Sequence, residues 1–405
     1  MTTPTSTYNP LLRGLPLLDD LPSLDGASVL VRVDFNVPLR IEDGVPPAVT
    51  DDFRIRSAIP TFDYLLGHGA RVTACTHLGR PDGAPDPRWE MAPVRDRLAE
   101  LAPRVELLEN LRFDPGEVAN DPAFVAKLVN GHDAYVNDAF GVCHRSHASV
   151  VGPPFQLPSA AGFLLQREVE MLGGLLGMPR RPFVAVVGGA KVADKLGVLG
   201  ALLERVDVLL VGGGMAYTFL AAAGHDVGVS MVDHDRIDDC AALLATGKTI
   251  LLPLDTVALE AGAPFGCGCR EGRVLLVGEE VPDGWTGLDI GPLTVERYAR
   301  EIASAGTVLW NGPMGVFEDS RFAAGTRGIA QAVAACDGFT VVGGGDSAAA
   351  VDALGLAQRV DFISTGGGAS LELIEHGDLP GLAALRRAAN APRPGEGAAR
   401  SRPSR

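Results

Sequence analysis

Two lysines in a glycine-rich segment could bind and neutralise phosphate groups. Lysine is rare here, because the 35 lysines and arginines of the chain include only four lysines, at positions 127, 191, 195 and 248. Lys191 and Lys195 both lie just after Gly188 and Gly189. Their spacing predicts that the two ammonium groups share one face of a helix beyond a strand end. An ammonium is a compact point charge suited to a moving phosphoryl group, and two solvated surface lysines are the alternative.

Glycine-rich turns follow four apolar runs in the second half of the chain. They are Gly188-Gly189, Gly212-Gly213-Gly214, Gly343-Gly344-Gly345 and Gly366-Gly367-Gly368. Glycine after a strand allows backbone N–H groups to approach a phosphate, and a helix that begins there adds the positive end of its dipole. Asp346, which follows the third turn, could cap such a helix or contact Mg²⁺. A single triplet is more often a tight turn, but four such turns favour a nucleotide site.

The first half carries charged and polar side chains at the ends of its apolar runs. These candidates for binding a small anion with phosphate and hydroxyl groups are Asp34, Asn36, Arg54, His77, Arg80, Arg112 and Arg145, with His144 and His147 nearby. Arginine suits planar recognition of phosphate and carboxylate groups. A purely structural network of ion pairs is the alternative. Arg32 and Arg56 are interpreted as salt-bridged residues outside the site.

Short apolar runs alternate with helix-compatible segments and must position these turns. The runs are Ser28–Val33, Arg71–Cys75, Val105–Leu108, Ala134–Val136, Phe183–Val187, Val208–Val211, Thr307–Trp310, Phe339–Val342 and Phe362–Ser364. Unbroken apolar runs between helices predict buried parallel strands. Ligands of open α/β sheets bind beyond the carboxyl ends of the strands, which is where the charged and glycine-rich turns lie.

Length and composition restrict the class of protein. The 405 residues suggest two domains, possibly three. The hydrophobic fraction of 46%, with 21% charged residues, is typical of a packed globular chain. A formal net charge of −15 argues against nucleic-acid binding but leaves room for a local basic pocket. Val208–Gly224 is uncharged but interrupted by glycines, and is interpreted as strand, turn and helix rather than a membrane span. Without a signal-peptide pattern, we expect a cytoplasmic protein.

Several competing motifs are weaker. The six cysteines, at positions 75, 143, 240, 267, 269 and 336, form no CxxC pair. Cys267 and Cys269 are therefore predicted to be free thiols in an irregular loop, and a metal or redox role is the alternative. Gly247-Lys248-Thr249 resembles the end of a Walker A motif, but it precedes a predicted strand when it should follow one. Gly212–Tyr217 lacks the last glycine of a dinucleotide-binding motif, and only the position of Asp233 keeps a dehydrogenase as an alternative.

No arrangement of serine, cysteine or histidine suggests a covalent nucleophile with its base. Phosphoryl transfer to or from a carboxylate needs no general base, because the acceptor is already ionised at neutral pH. A basic pocket and a glycine-rich phosphate site that face each other across a cleft would suffice for such a transfer.

The order of these motifs resembles the phosphoglycerate kinase family over Val29 to Leu385. The motifs are Val31-Arg32-Val33-Asp34-Phe35-Asn36-Val37-Pro38, His77-Leu78-Gly79-Arg80-Pro81, Glu109-Asn110-Leu111-Arg112-Phe113, Asn137-Asp138-Ala139-Phe140-Gly141, Gly188 to Lys195, Trp310-Asn311-Gly312-Pro313-Met314-Gly315, Gly343 to Ser347 and Thr365 to Ser370. The chain departs from the usual family pattern at Thr76, at Val142-Cys143 and over the stretch Ala261–Val281. The last departure leaves the edge of the nucleotide domain undefined.

The resemblance implies reversible phosphoryl transfer between 1,3-bisphosphoglycerate and ADP in glycolysis, giving 3-phosphoglycerate and ATP, with Mg²⁺ on the nucleotide. It implies that Asp34, Asn36, Arg54, His77, Arg80, Arg112 and Arg145 bind the glycerate substrate. It also implies that Arg54, Lys191 and Lys195 are catalytic. The implied nucleotide-binding residues are Lys195, Gly212, Gly213, Asn311, Glu318 for the ribose, and Gly343, Gly344, Gly345, Asp346 and Ser347, with Asp346 nearest the metal.

The resemblance further implies an α/β fold of two Rossmann-like three-layer domains, each with a mainly parallel sheet, that close about a hinge. We expect a 3-phosphoglycerate domain at 1–158, an interdomain helix at 159–178, a nucleotide domain at 179–368, a segment at 369–390 that returns to the first domain, and a disordered tail at 391–405. A monomeric enzyme is predicted. The alternative from another class is a catalytically silent nucleotide-binding regulator.

Overall fold

The computed structural model describes residue 9 and residues 11–42, 45–266 and 268–390. The predictions for the tail 391–405 and for Cys267 lie outside the described residues. Contacts between α-carbons divide the chain into two units. Unit 1 contains the described residues up to Gly173 and from Asp378 onward, and unit 2 is Gly174–Gly377.

Strands and helices alternate along most of the chain. The strands are β1 Ser28–Val33, β2 Leu39–Glu42, β3 Val45–Val49, β4 Arg71–Cys75, β5 Val105–Leu107, β6 Ala134–Asp138, β7 Ser159–Ala161, β8 Phe183–Val187, β9 Val208–Val211, β10 Ile250–Leu251, β11 Thr256–Glu260, β12 Val274–Val277, β13 Trp285–Ile290, β14 Thr307–Asn311, β15 Phe339–Gly343 and β16 Phe362–Ile363. The helices are α1 Phe53–Gly67, α2 Ala92–Leu101, α3 Pro115–Ala119, α4 Pro122–Val129, α5 Ala148–Val151, α6 Phe163–Leu176, α7 Leu196–Leu203, α8 Ala216–Ala222, α9 Ile237–Leu244, α10 Pro292–Ala303, α11 Ala324–Ala335, α12 Gly345–Ala353, α13 Gly368–His376 and α14 Pro380–Asn390.

Unit 1 is built on a parallel sheet in the order β5-β4-β1-β6-β7, counted over the described residues. In β1, at the centre, Val29 pairs with Val72 on one side and with Ala134 on the other. Every residue of β1 after Ser28 is buried, as expected for a strand covered on both faces. The carboxyl ends of β1, β4, β5 and β6 therefore lie along one edge, where the polar candidates follow them.

Unit 2 contains a parallel sheet in the order β10-β9-β8-β14-β15-β16 and a separate antiparallel sheet in the order β12-β11-β13, within the residues described. Trp310 on β14 is fully buried in the core. Tyr298 on α10 donates its hydroxyl hydrogen to the carbonyl of Val211 at 2.7 Å. The apolar runs and the α/β class with mainly parallel sheets are confirmed, whereas the sequence did not indicate the antiparallel sheet.

Two boundary predictions differ from the structure. The expected helix at 159–178 begins later, because Ser159–Ala161 pairs with β6 as a parallel strand before α6 starts at Phe163. The segment at 369–390 is divided, because α13 belongs to unit 2. A β-carbon on Gly197 of α7 would lie only 2.0 Å from Oε1 of Glu375, so α13 packs too closely on α7 to belong elsewhere.

The stretch Val208–Gly224 folds as β9, a turn and α8, as predicted. Among the described residues, no helix has the length and apolarity that a membrane crossing needs.

Candidate phosphate-binding sites

Asp34 and Arg54 form an ion pair at the carboxyl end of β1. Nη1 of Arg54, in the first turn of α1, donates to Oδ2 of Asp34 at 2.6 Å. The Asp34 side chain is 10% exposed and that of Arg54 is 35% exposed. The carboxylate thus orients a guanidinium that keeps further donors for an anion.

His77 is held as a neutral imidazole beside this pair. It is buried after β4, with Nδ1 3.3 Å from Nη2 of Arg32 and 3.9 Å from Oδ1 of Asp34. Burial, followed by the positive charges of Arg32, Arg112 and Arg54, holds the pKa of His77 well below its ordinary value. Because a guanidinium can only donate, Nδ1 accepts from Arg32 and the ring hydrogen resides on Nε2. His77 can therefore donate one hydrogen bond to an anionic substrate.

Asn36 and Arg112 hold the turn that carries Arg80. Oδ1 of Asn36 accepts from the backbone N–H of Gly79 at 2.9 Å, and Nη1 of Arg112 donates to the carbonyl of Gly79 at 2.7 Å. Nε of Arg112 is buried without a partner. Arg80 and Arg145 are exposed, and their side chains form no hydrogen bond or ion pair with any described residue. These three arginines therefore retain donors for a ligand.

The expectation that Arg32 is simply salt-bridged is wrong. Its guanidinium is fully buried and donates through Nε to Oγ of Ser149 at 2.8 Å and through Nη1 to the carbonyl of Val33. Oε1 of Glu117, also fully buried, accepts from Oγ of Ser149 at 2.7 Å, so the acid reaches Arg32 only through a hydroxyl. For Arg56 the interpretation is confirmed, because Nε donates to Asp52 at 2.9 Å.

Lys191 and Lys195 do not share a helix face, because the segment Gly188–Lys195 is a loop and α7 begins at Leu196. A β-carbon on Gly188 would lie 2.1 Å from the carbonyl of Pro313, and Gly189 has a φ of +121°. Oδ2 of Asp233 accepts from the backbone N–H groups of Val192 and Ala193 at 3.0 and 3.1 Å. Asp233, the residue that kept the dehydrogenase alternative open, instead anchors this loop.

The ammonium of Lys195 is bound inside the loop. Nζ donates to the carbonyl of Gly188 at 2.6 Å and to Oδ1 of Asn311 at 2.8 Å. Burial lowers the pKa of Lys195 to about 8, although the charges of Asp346 and Asp194 oppose the shift. Lys191 is exposed and has no hydrogen-bond or ion-pair partner among the described residues. The protein therefore holds the Lys195 ammonium in place, and the Lys191 ammonium is available to bind a ligand.

Both lysines line a cavity of about 400 Å³ together with the segments 189–190, 311–313 and 344–347. Gly344, with a φ of +89°, precedes α12, so the first backbone N–H groups of that helix lie at the cavity. Oγ of Ser347 accepts from the N–H of Gly312 at 2.6 Å. Asp346 is exposed in the first turn of the helix. The two ammonium groups and the backbone N–H groups at this cavity suit a polyphosphate.

Gly212, Gly213 and Glu318 do not line this cavity. A β-carbon on Gly212 would lie 2.4 Å from Sδ of Met314, and Gly213, with a φ of +68°, donates its N–H to the carbonyl of Met314 at 3.1 Å. Glu318 is exposed. The two glycines bring β9 against the 311–315 segment, and their expected nucleotide contacts, like that of Glu318, stay predictions.

Replacing Gly213 by alanine should lower the free energy of unfolding of unit 2. The positive φ costs about 1–2 kcal/mol for a residue with a β-carbon. That β-carbon would also lie 2.6 Å from the backbone nitrogen of Gly189, which cannot move without distorting the loop. Gly247→Ala is the matched control, because Gly247 has a φ of +73° with open space around its β-carbon position. Urea unfolding should show a larger loss for Gly213→Ala, and equal losses would contradict the role of close packing.

Nucleotide binding should take up a proton near the pKa of Lys195. Above about pH 8 the ammonium of the free protein is increasingly deprotonated. A bound polyphosphate favours the charged form, so the pKa rises on binding and affinity falls as the pH rises through this range. Calorimetry of ADP binding in buffers of different ionisation enthalpy should detect the uptake, and Lys195→Met should abolish it. Equal uptake in the variant would contradict this assignment.

Known proteins similar to this chain point to one family. A sequence profile described as "Phosphoglycerate kinase" matches residues 18–108 and 102–377. A phosphoglycerate kinase of Rubrobacter xylanophilus is 52% identical over 386 residues, covering 89% of this chain and 96% of that protein. A phosphoglycerate kinase of Chloroflexus aurantiacus is 49% identical, with the same coverage. The solved structure of phosphoglycerate kinase from Coxiella burnetii aligns with a TM-score of 0.82 at 34% identity, covering 93% of this chain and 100% of that chain.

These similarities confirm the resemblance, the enzyme class and the kinase function predicted from the motifs. They leave the individual site residues as predictions. With a family profile spanning most of its length and relatives about half identical, the chain belongs to the phosphoglycerate kinase family.

Proposed function

We propose that this chain transfers a phosphoryl group between 1,3-bisphosphoglycerate and ADP, through the residues that the family motifs single out. The observation that carries the proposal is the cavity of unit 2, where two ammonium groups, a glycine-rich turn and a helix N-terminus converge at the carboxyl ends of parallel strands. Lys195 contacts nucleotide phosphates there, and Lys191 neutralises the phosphoryl group in transit. Asn311 and Ser347 support the cavity wall.

Unit 1 supplies the glycerate site in this proposal. Arg80, Arg112 and Arg145 bind the anionic groups of the substrate, and the neutral His77 donates from Nε2. Asp34 and Asn36 accept from hydroxyl groups or position their neighbours, and Arg54 stabilises charge on the transferring phosphoryl group. The accepting carboxylate is ionised, so no proton has to be removed by the protein.

The donor set suits Mg²⁺ bound through the nucleotide. Asp346 places one exposed carboxylate at the phosphate cavity, and no cluster of three or more metal-ligating side chains occurs in the part of the chain that is described. Mg²⁺ commonly binds proteins through one or two carboxylates and completes its shell with phosphate oxygens and water. Asp346 would hold the ion, which would neutralise phosphate charge.

A coupled assay of ATP-dependent 1,3-bisphosphoglycerate formation tests the function. Turnover of the wild-type chain in the presence of 3-phosphoglycerate supports the enzyme. Nucleotide binding without turnover would support the silent regulator and overturn the proposal. Reduction of NAD without nucleotide phosphorylation would favour the dehydrogenase alternative.

Hinge closure, direct in-line transfer, a monomeric state and a cytoplasmic location stay predictions. Sedimentation of the purified chain at several concentrations tests the oligomeric state. Small-angle scattering with and without both substrates tests closure, because closure should reduce the radius of gyration.

A further inference from the structure

A buried acid lies behind the charged edge of the unit 1 sheet. Glu117, on α3, is fully buried, and both of its oxygens are bound by Ser149 of α5. Oε2 accepts from the backbone N–H of Ser149 at 2.9 Å, and Oε1 accepts from its hydroxyl at 2.7 Å. Nδ1 of His147, at 3.9 Å from Oε1, is too far away for a hydrogen bond. Glu117 therefore acts on its surroundings through Ser149.

The Ser149 hydroxyl can take only one orientation between Glu117 and Arg32. Its oxygen lies 2.8 Å from Nε of Arg32, and a guanidinium can donate but cannot accept. Oγ therefore accepts from Arg32, and its single hydrogen is left for Oε1 of Glu117. The three side chains form a chain of hydrogen bonds with one direction, in which Arg32 donates to Ser149 and Ser149 donates to Glu117.

Arg32 keeps a donor for His77 because its acid is one hydroxyl away. The buried guanidinium donates through Nη1 to the carbonyl of Val33, and its Nη2 lies 3.3 Å from Nδ1 of His77. In the described ranges, Arg32 forms no ion pair with a carboxylate. An acid in direct contact would take two parallel donors of the guanidinium, as bidentate pairs do. The hydroxyl link takes only Nε and leaves Nη2 to His77.

The position of Arg32 determines which nitrogen of His77 carries the ring hydrogen. A hydrogen on Nδ1 would point at the N–H of Nη2, and Oδ1 of Asp34 lies 3.9 Å from Nδ1, beyond hydrogen-bond distance. Because His77 is only 4% exposed, that hydrogen would be buried against a donor, which costs free energy. The ring hydrogen therefore stays on Nε2 as long as Arg32 keeps its place.

We propose that Glu117, Ser149 and Arg32 are positioning residues that hold His77 with its ring hydrogen on Nε2, the nitrogen that donates to 3-phosphoglycerate. All three are fully buried, so none of them can touch a ligand, and their effect on substrate binding passes through His77. This inference rests on the proposed function, because it takes 3-phosphoglycerate as the ligand of unit 1. It gives the buried acid a role that needs no direct contact with the guanidinium.

Removal of the Ser149 hydroxyl tests the chain of hydrogen bonds with the smallest change. Ser149→Ala keeps the backbone N–H that binds Glu117 but removes the partner of Nε of Arg32. The guanidinium should then move toward the acid and withdraw Nη2 from His77. We expect 3-phosphoglycerate binding, measured by calorimetry, to weaken about tenfold, near the lower end for loss of a hydrogen bond to a charged group. ADP binding should not change, because the phosphate cavity belongs to unit 2.

Two further measurements separate positioning from a structural effect. In a His77→Ala background, Ser149→Ala should cause no additional weakening of 3-phosphoglycerate binding, because the side chain that it positions is gone. Nitrogen NMR of the His77 ring should show a hydrogen on Nε2 alone in the wild type, and a hydrogen on Nδ1 in part of the Ser149→Ala molecules. Ser159→Ala, which removes a unit 1 hydroxyl that donates to the carbonyl of Leu157, is the matched control and should bind 3-phosphoglycerate as the wild type does.

A folded Ser149→Ala protein with wild-type affinity for 3-phosphoglycerate would overturn the proposal. Equal weakening by Ser149→Ala in the wild-type and His77→Ala backgrounds would also overturn it, because the effect would not pass through His77. Melting temperatures show whether Ser149→Ala remains folded, and Glu117→Gln, which keeps the volume of the acid, is a second disruption that should give the same pattern. Normal turnover by the wild type with unaffected binding in both variants disproves this inference alone, whereas absence of turnover by the wild type disproves the proposed function.

Discussion

Replacing Arg54 by alanine should lower kcat about 10³-fold, the lower end of the effect of an arginine that stabilises phosphoryl transfer. Asp34 orients this guanidinium through a 2.6 Å hydrogen bond, and the side chain remains 35% exposed, so donors are available to the phosphoryl group. The transition state needs charge neutralisation that alanine cannot supply, whereas in the proposed site Arg80, Arg112 and Arg145 also contribute to ground-state binding. Steady-state kinetics of ATP-dependent 1,3-bisphosphoglycerate formation should therefore show a large loss of kcat with a smaller change in KM.

Arg56→Ala is the matched control, because Arg56 lies on the same helix, is 54% exposed and binds only Asp52, which also pairs with Arg97. Its kcat should equal that of the wild type. Arg54→Lys should recover little activity, because an ammonium lacks the planar set of donors. An Arg54→Ala enzyme with kcat within a factor of about three of wild type would remove Arg54 from the catalytic set, since a transition-state contact is worth far more.

Replacing Lys191 by alanine should lower kcat by about 10²–10³, comparable to the loss of one preorganised donor in an active site. Lys191 lines the phosphate cavity, and it has no hydrogen-bond or ion-pair partner in the described ranges. Its removal leaves no buried carboxylate unpaired, so the free energy of unfolding should not change. The same coupled assay together with a urea titration separates loss of catalysis from loss of stability.

Lys248→Ala controls for the loss of a positive charge from unit 2, because Lys248 is exposed and lies outside the cavity. Activity of Lys191→Ala equal to that of Lys248→Ala would mean that the ammonium is a solvated surface group, the alternative that the sequence left open. Lys191→Arg should restore part of the activity, because it returns a positive charge at a different length and shape.

Local patterns in the sequence were sufficient to predict the strands of the parallel sheets. Strands β1, β4, β8 and β9 have the predicted bounds, because a buried parallel strand is an unbroken apolar run that any turn-forming residue ends. The start of α6 was missed, because Ser159–Ala161 is too short and too small in side chain to show a strand pattern before it pairs with β6. The antiparallel sheet was also missed. Its strand β12 exposes three apolar residues, and this pattern is typical of neither a core strand nor a loop.

The sequence by itself determined which chemical groups the chain carries: glycine-rich turns, two rare lysines and a set of arginines in the order typical of one family. Only the tertiary structure decided how those groups are used. The carboxylate of Asp233 binds the backbone of the Lys191–Lys195 segment, which is a loop where a helix was predicted. Glu117 reaches Arg32 through a serine hydroxyl. Asp319 accepts a hydrogen bond from the backbone of a loop more than 50 positions earlier in the chain. Each of these depends on hydrogen bonds between residues far apart in sequence, and such contacts leave no periodic signal in the neighbouring residues.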